Sequence, residues 1–412
     1  MKNNSGLKSI IFVLIFGLTI IGCSDYKSPD STVKYSGRHG HFVCGCGGSC
    51  VSTAEDGIPD TWKTIGVDSD CDGKVDLDLA SLGADPRHKD VFIQVDSMAP
   101  RPDQSAVFTF PQLAMNTLVD SFNNAPVSNP DGTKGIHLHI ITGNVVPYSK
   151  VVTLFSEHNA TNCSGPDSQY LANLKSQSMD AARTMAFHYA LIADLNTCDS
   201  QLSCNACDFT KHEPKYKSSG FAIMHGKDFI VSLGNLWDRG SYKGDTATNA
   251  VYNRNIAGVF MHELGHNFGL RHGGGDEDAP NYKPNYLSIM NYRYQLNGIP
   301  STTGPRIDYS REALRTLDET QLDEIAGLGS SDPTLQFTFM DSSCIYQKAN
   351  ASGPVDWDGS GTIDSYPAIA DLNPEDDPTR SCGDVTDLVM IGHEDWSTLD
   401  YGFYNQQIPP DI

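Results

Sequence analysis

The stretch His262-Glu263-Leu264-Gly265-His266-Asn267-Phe268-Gly269-Leu270-Arg271-His272 places three histidines at spacings of four and six residues, with a glycine between the second and third. Residues i and i+4 lie one turn apart on the same face of an α-helix. The spacing therefore predicts a helix that aims His262 and His266 at one metal ion, with Glu263 beside them reaching a metal-bound water. Gly269 lets the chain leave the helix in a conformation that a Cβ resists, and His272 then returns as a third nitrogen. Three imidazoles leave one tetrahedral position open, the arrangement of a catalytic rather than a structural zinc site. The apolar run Ile256-Ala257-Gly258-Val259-Phe260-Met261 leads into the motif as a buried helix would. The competing reading, a surface helix with solvated histidines, accounts for neither the glycine nor the third histidine.

These residues resemble the extended H-E-x-x-H-x-x-G-x-x-H motif of the metzincins, zinc-dependent metallopeptidases. The resemblance implies a methionine turn beneath the metal, and Tyr286-Leu287-Ser288-Ile289-Met290-Asn291-Tyr292 follows the third histidine. Met290 would be the Met-turn residue. Tyr292 stands where astacin-like and serralysin-like members carry a tyrosine able to donate a hydrogen bond to a developing oxyanion. Gly273 and Asn291 depart from the residues that mark several named families, so the resemblance extends to the clan and its mechanism, not to a subfamily or a cleavage preference. It implies Zn²⁺ on His262, His266 and His272, Glu263 as general base, and an α+β fold. The expected fold is a metzincin-like catalytic domain with a mixed twisted sheet, an active-site helix and a Met-turn; the cysteines and acidic loops of this sequence, read below, add the expectation of small calcium-binding, disulfide-rich flanking segments.

The N-terminus indicates where such chemistry would take place. Lys2 and Lys8 precede a short apolar run, Ile10 to Phe16, which suits a signal-peptide core better than a membrane span. Ile20-Ile21-Gly22-Cys23 resembles a bacterial lipobox, so Cys23 is the expected lipidation site and the chain is expected to be anchored to a membrane rather than to span it. Ser24 after the cysteine fits sorting to an outer membrane or cell surface. The ten remaining cysteines, Cys44, Cys46, Cys50, Cys71, Cys163, Cys198, Cys204, Cys207, Cys344 and Cys382, form an even set, which in an exported chain points to disulfides. The Cys44–Cys50 cluster also admits a reading as a latency thiolate on the zinc, a less simple one than pairing. Loss of the signal removes two lysines, leaving 27 basic against 51 acidic residues, a formal −24. That sign disfavours nucleic-acid binding.

The acidic residues are not evenly spread. Asp68, Asp70, Asp72 and Asp76, with Gly73, have the alternating rhythm of a calcium loop; Asp356, Asp358, Ser360 and Asp364, with Gly361, repeat it. Leu79 and Pro367 stand at the twelfth positions, so neither loop is a full EF-hand, and missing ligands must come from elsewhere. Asp90–Asp96, Gly135–Ile141, Phe187–Ala193 and Phe229–Leu233 read as strands, and Phe110–Asn123 and Ser310–Ala326 as helices, the latter capped by Ser310. His137, His139, His188 and His225 lack motif spacing and read as structural or solvated.

The chain thus divides into a signal peptide (1–22), a lipidated tether (23–40) and a Cys/Asp-rich calcium-loop segment (41–87). The catalytic domain (88–329) and a C-terminal calcium-loop extension (330–412) follow. The expected function is an extracytoplasmic, membrane-anchored endopeptidase acting on polypeptides. The alternatives are a surface binding or adhesion lipoprotein on an inactive or narrow-specificity scaffold, and hydrolysis of cell-wall peptide.

Overall fold

The computed structural model describes residues 51–153, 168–197, 218–238, 240–242, 246–275, 279–374 and 389–402. The signal stretch, Cys23, the tether and eight of the ten cysteines lie outside these residues; Cys71 and Cys344 lie within them.

A short helix, α1 (Asp60–Thr64), precedes the first long strand, β1 (Asp90–Met98), which buries almost every side chain and so must be covered on both faces. Then come α2 (Gln112–Asn123), β2 (His137–Val146), β3 (Val151–Thr153), β4 (Ser168–Tyr170), α3 (Leu171–Ser178), α4 (Ala181–Ala186), β5 (Phe187–Ala193) and β6 (Leu195–Thr197). They are followed by β7 (Gly220–Ala222), β8 (Asp228–Ser232), α5 (Gly234–Asp238), α6 (Ala250–Asn267) and α7 (Tyr292–Gln295). The remaining strands are β9 (Leu317–Asp318), β10 (Gln336–Met340), β11 (Tyr346–Asn350) and β12 (Val389–Met390).

The main sheet has the order β2-β1-β5-β8-β7. Its first four strands are parallel, and β7 closes one edge antiparallel to β8. The sheet is therefore mixed, as expected. Helices α2 and α6 cover it, joining Leu118, Phe122, Ile256, Phe260 and Leu264 to Val91, Phe92, Leu191 and Ile230 in one apolar core. Burying a side chain of this size stabilises by about 1.5–3 kcal/mol. A second core gathers Leu287, Tyr294 and Leu314 with Phe337, Phe339, Trp357 and Met390. Trp396 and Leu399, near the end of the described chain, return to the main core. No helix among the described residues is long and apolar enough to cross a membrane.

The expected helix over Ser310–Ala326 is not formed; the segment runs as turns around the short strand β9. Its polar groups are committed to distant partners instead of to a helical ladder. The Ser310 hydroxyl donates to His393 O (2.7 Å) and the Ser310 amide to the Asp395 carboxylate (3.1 Å). Leu322 pairs with Ala368 as an isolated bridge, and the Arg315 amide donates to Leu328 O. Tertiary bonding outweighs the local helical preference here.

Candidate zinc centre

Helix α6 carries the first two histidines. Asn249 caps its start by accepting from the Tyr252 amide (2.9 Å), and every residue from Asn255 to Phe268 is buried. A helix buried all round is a core element, so its side chains are held by packing. At its end Leu270 N donates to Gly265 O and Gly269 N to His266 O, both at 2.9 Å. With Gly269 at φ +83°, this is a Schellman cap. The cap turns the chain sharply and brings His272 back beneath the helix end.

The three imidazoles meet. His266 Nε2 lies 3.2 Å from His262 Nε2 and 3.0 Å from His272 Nε2. Backbone carbonyls fix the tautomers of the two helical rings. His262 Nδ1 donates to Ile289 O and His266 Nδ1 to Leu270 O, both at 2.9 Å. With Nδ1 protonated, both Nε2 atoms present bare lone pairs to each other, a repulsive arrangement that a cation between them resolves. Donors bonded to one tetrahedral zinc stand about 3.3 Å apart, so the residues present fit the ion. Burial, with the neighbouring imidazoles, holds His262 and His272 well below the usual histidine range. The neutral, ligating form is thereby favoured.

Glu263 is 3 % exposed, and burial pushes its carboxyl well above the usual range. It packs against Gly220 at the start of β7; a methyl group added there would overlap the carboxylate. Met290 is fully buried, with its sulfur beneath Gly265, between the two helical histidines. The same turn supplies the Ile289 carbonyl that orients His262. Tyr292, at the start of α7, has its ring 4.2 Å from that of His272 and 5.5 Å from that of His262. The structure thus brings His262, Glu263, His266, His272, Met290 and Tyr292 into one site.

Two contributors have no motif to announce them. The His225 amide donates to His266 O (3.1 Å), and its ring abuts Gly269. Asp395 is wholly buried and accepts from Tyr286 Oη (2.8 Å), Ser288 Oγ (2.5 Å) and Ser310 N (3.1 Å), holding the Met-turn from below. His188 is structural, as expected: its Nδ1 meets Asn267 Oδ1 at 3.1 Å, and burial lowers it to about 4.

The acidic loops share one backbone form, with positive φ at Cys71 and Gly73 in the first and at Gly359 and Gly361 in the second. Ligand atoms of Asp68, Asp70 and Asp76 lie within 4.8 Å of one another, as do those of Glu324, Asp356 and Asp358. Glu324 is a member the sequence did not reveal. Asp72 instead pairs with Lys74 (2.6 Å), the Ser360 hydroxyl bonds Thr362, and the Asp364 amide donates to Glu324 (2.7 Å). The carboxylates of Asp72 and Asp364 are not members of these two groups.

Residues 113–273 match the family described as metallo-peptidase family M12B, reprolysin-like. Among solved structures, the chain is similar to archaemetzincin from Methanopyrus kandleri, at 16 % identity over 49 % of this chain and 81 % of that one, with a TM-score of 0.25. It is likewise similar to a zinc-dependent peptidase from Methanocorpusculum labreanum (strain Z), at 17 % identity over 48 % and 86 %, with a TM-score of 0.26. No curated protein matches the chain. The family match spans His262 to His272, and with the three-histidine site it makes the catalytic domain that of a metzincin-type zinc metallopeptidase, of no assigned subfamily.

Proposed function

We propose that the protein is an extracytoplasmic zinc endopeptidase that hydrolyses peptide bonds with water, using Glu263 as general base. The observation that carries this reading is the meeting of three Nε2 atoms at 3.0–3.2 Å, with the buried Glu263 following His262 on the same helix. His262, His266 and His272 would hold the zinc, which when bound polarises a carbonyl and acidifies water. The Glu263 carboxylate takes a proton from the attacking water and passes it to the leaving amine. Its buried setting favours the protonated form that must make the second transfer. The Tyr292 phenol donates a hydrogen bond to the developing oxyanion. Among the described residues, strand β7 ends the main sheet and lies against Glu263 through Gly220. Cleavage of unfolded casein by the mature chain in Zn²⁺ and Ca²⁺ tests the reading. Full zinc occupancy without cleavage would favour a binding protein on an inactive scaffold.

In the same proposal the two acidic loops bind structural Ca²⁺ and the exported cysteines pair as disulfides. Carboxylate oxygens at alternate positions around a glycine turn support calcium. Chelating Ca²⁺ from the mature chain should lower its thermal midpoint by several degrees, and an unchanged midpoint would remove the ion from the account. The lipobox-like Ile20-Ile21-Gly22-Cys23 supports a lipid anchor. Cys23→Ala should shift the protein from the membrane to the soluble fraction; equal partitioning of variant and wild type would argue against lipidation.

A further inference from the structure

At the edge of the main sheet opposite β7, the geometry points to a second metal site, formed by Asp90, His137 and His139 and suited to a divalent transition cation such as Zn²⁺. Strands β1 and β2 run parallel with Asp90 level with His137. Strand alternation puts His137 and His139 on one face of β2. Ligand atoms of the three residues lie within 4.8 Å of one another. Asp90 Oδ1 stands 2.7 Å from His139 Nε2 and 3.5 Å from His137 Nδ1. A tetrahedral ion spaces its donors by about 3.3 Å, so small shifts of the rings accommodate one.

The carboxylate is held in place for this task. Asp90 Oδ2 accepts from Lys63 Nζ (2.8 Å) and from the Asp85 amide (2.9 Å), which leaves Oδ1 facing both imidazoles. Lys63 is itself fixed by Asp56 and by the carbonyls of Asp85 and His88. Partners of this kind orient a ligand and tune it. The ring planes are also fixed: Phe92 stacks on His139 at 4.2 Å and His88 on His137 at 3.7 Å. The Asp90 side chain is fully buried while that of His137 is 43 % exposed, so the site opens to solvent on one side and can keep a water ligand.

Two imidazoles and one carboxylate favour a borderline cation over Ca²⁺ or Mg²⁺, which take oxygen ligands. The bound ion would clamp β2 to β1 and, through Lys63, to α1. Its role is structural, and it stands independently of the peptidase reading.

The test is Zn²⁺ stoichiometry on the metal-stripped mature chain, first saturated with Ca²⁺ so that the acidic loops are filled. His137→Ala changes a half-exposed ring and should leave the fold and casein cleavage intact while binding one Zn²⁺ fewer than wild type. His137→Ala/His139→Asn should lose the same single equivalent. If the double variant unfolds, the single variant decides. Equal Zn²⁺ uptake by wild type and folded His137→Ala overturns the proposal.

Discussion

Glu263→Gln is expected to lower the turnover of unfolded casein by about 10²–10⁴-fold, the range a positioned general base contributes. KM and bound zinc should stay unchanged. Gln keeps the volume of the buried side chain and its contact with Gly220, so the three imidazoles at 3.0–3.2 Å lose nothing that holds them. What Gln lacks is an oxygen able to take the water's proton at reaction pH. Turnover measured beside metal analysis separates the alternatives. A variant that retains zinc and full turnover would remove Glu263 from the chemistry, and one that loses zinc would show that its role is structural.

Asp395→Ala should destabilise the domain by about 3–5 kcal/mol, because it strands buried donors that cost roughly 1–3 kcal/mol each when left unpaired. The donors are Tyr286 Oη, Ser288 Oγ and the Ser310 amide. Ser288 lies two residues before Met290 and next to Ile289, whose carbonyl fixes the His262 tautomer. The variant should therefore also bind zinc more weakly, a coupling that a remote packing defect would not produce. Denaturant midpoints with and without zinc measure both effects. Asp395→Ala with an unchanged midpoint and unchanged zinc affinity would mean that the C-terminal segment does not support the site.

Much of the site was legible because its geometry is local. Spacings of three to six residues on one helix and its cap set where His262, Glu263, His266 and His272 point, and the residues that decide this are neighbours in the chain. The strand Phe187–Ala193 was equally plain, an apolar run interrupted by His188, buried throughout and bounded as expected. The mixed sheet followed from such runs together with the metzincin resemblance. Ser310–Ala326 was misread for the opposite reason. Its helical pattern is real, but His393, Asp395 and Ala368 claim its polar groups from as far as 85 positions away.

By itself, then, the sequence determined the metal-binding helix, its glycine cap and the apolar strands, since each is written in short-range spacing, while the methionine turn downstream followed from the metzincin resemblance. Only the tertiary structure decided that Asp395 braces the Met-turn, that Glu324 joins Asp356 and Asp358, and that Asp90 stands against His137 and His139 across a parallel strand pair. Those groups are assembled by packing between segments distant in the chain. A buried carboxylate leaves no periodic trace, because its position is set by which donors the fold brings to it and not by its neighbours in sequence.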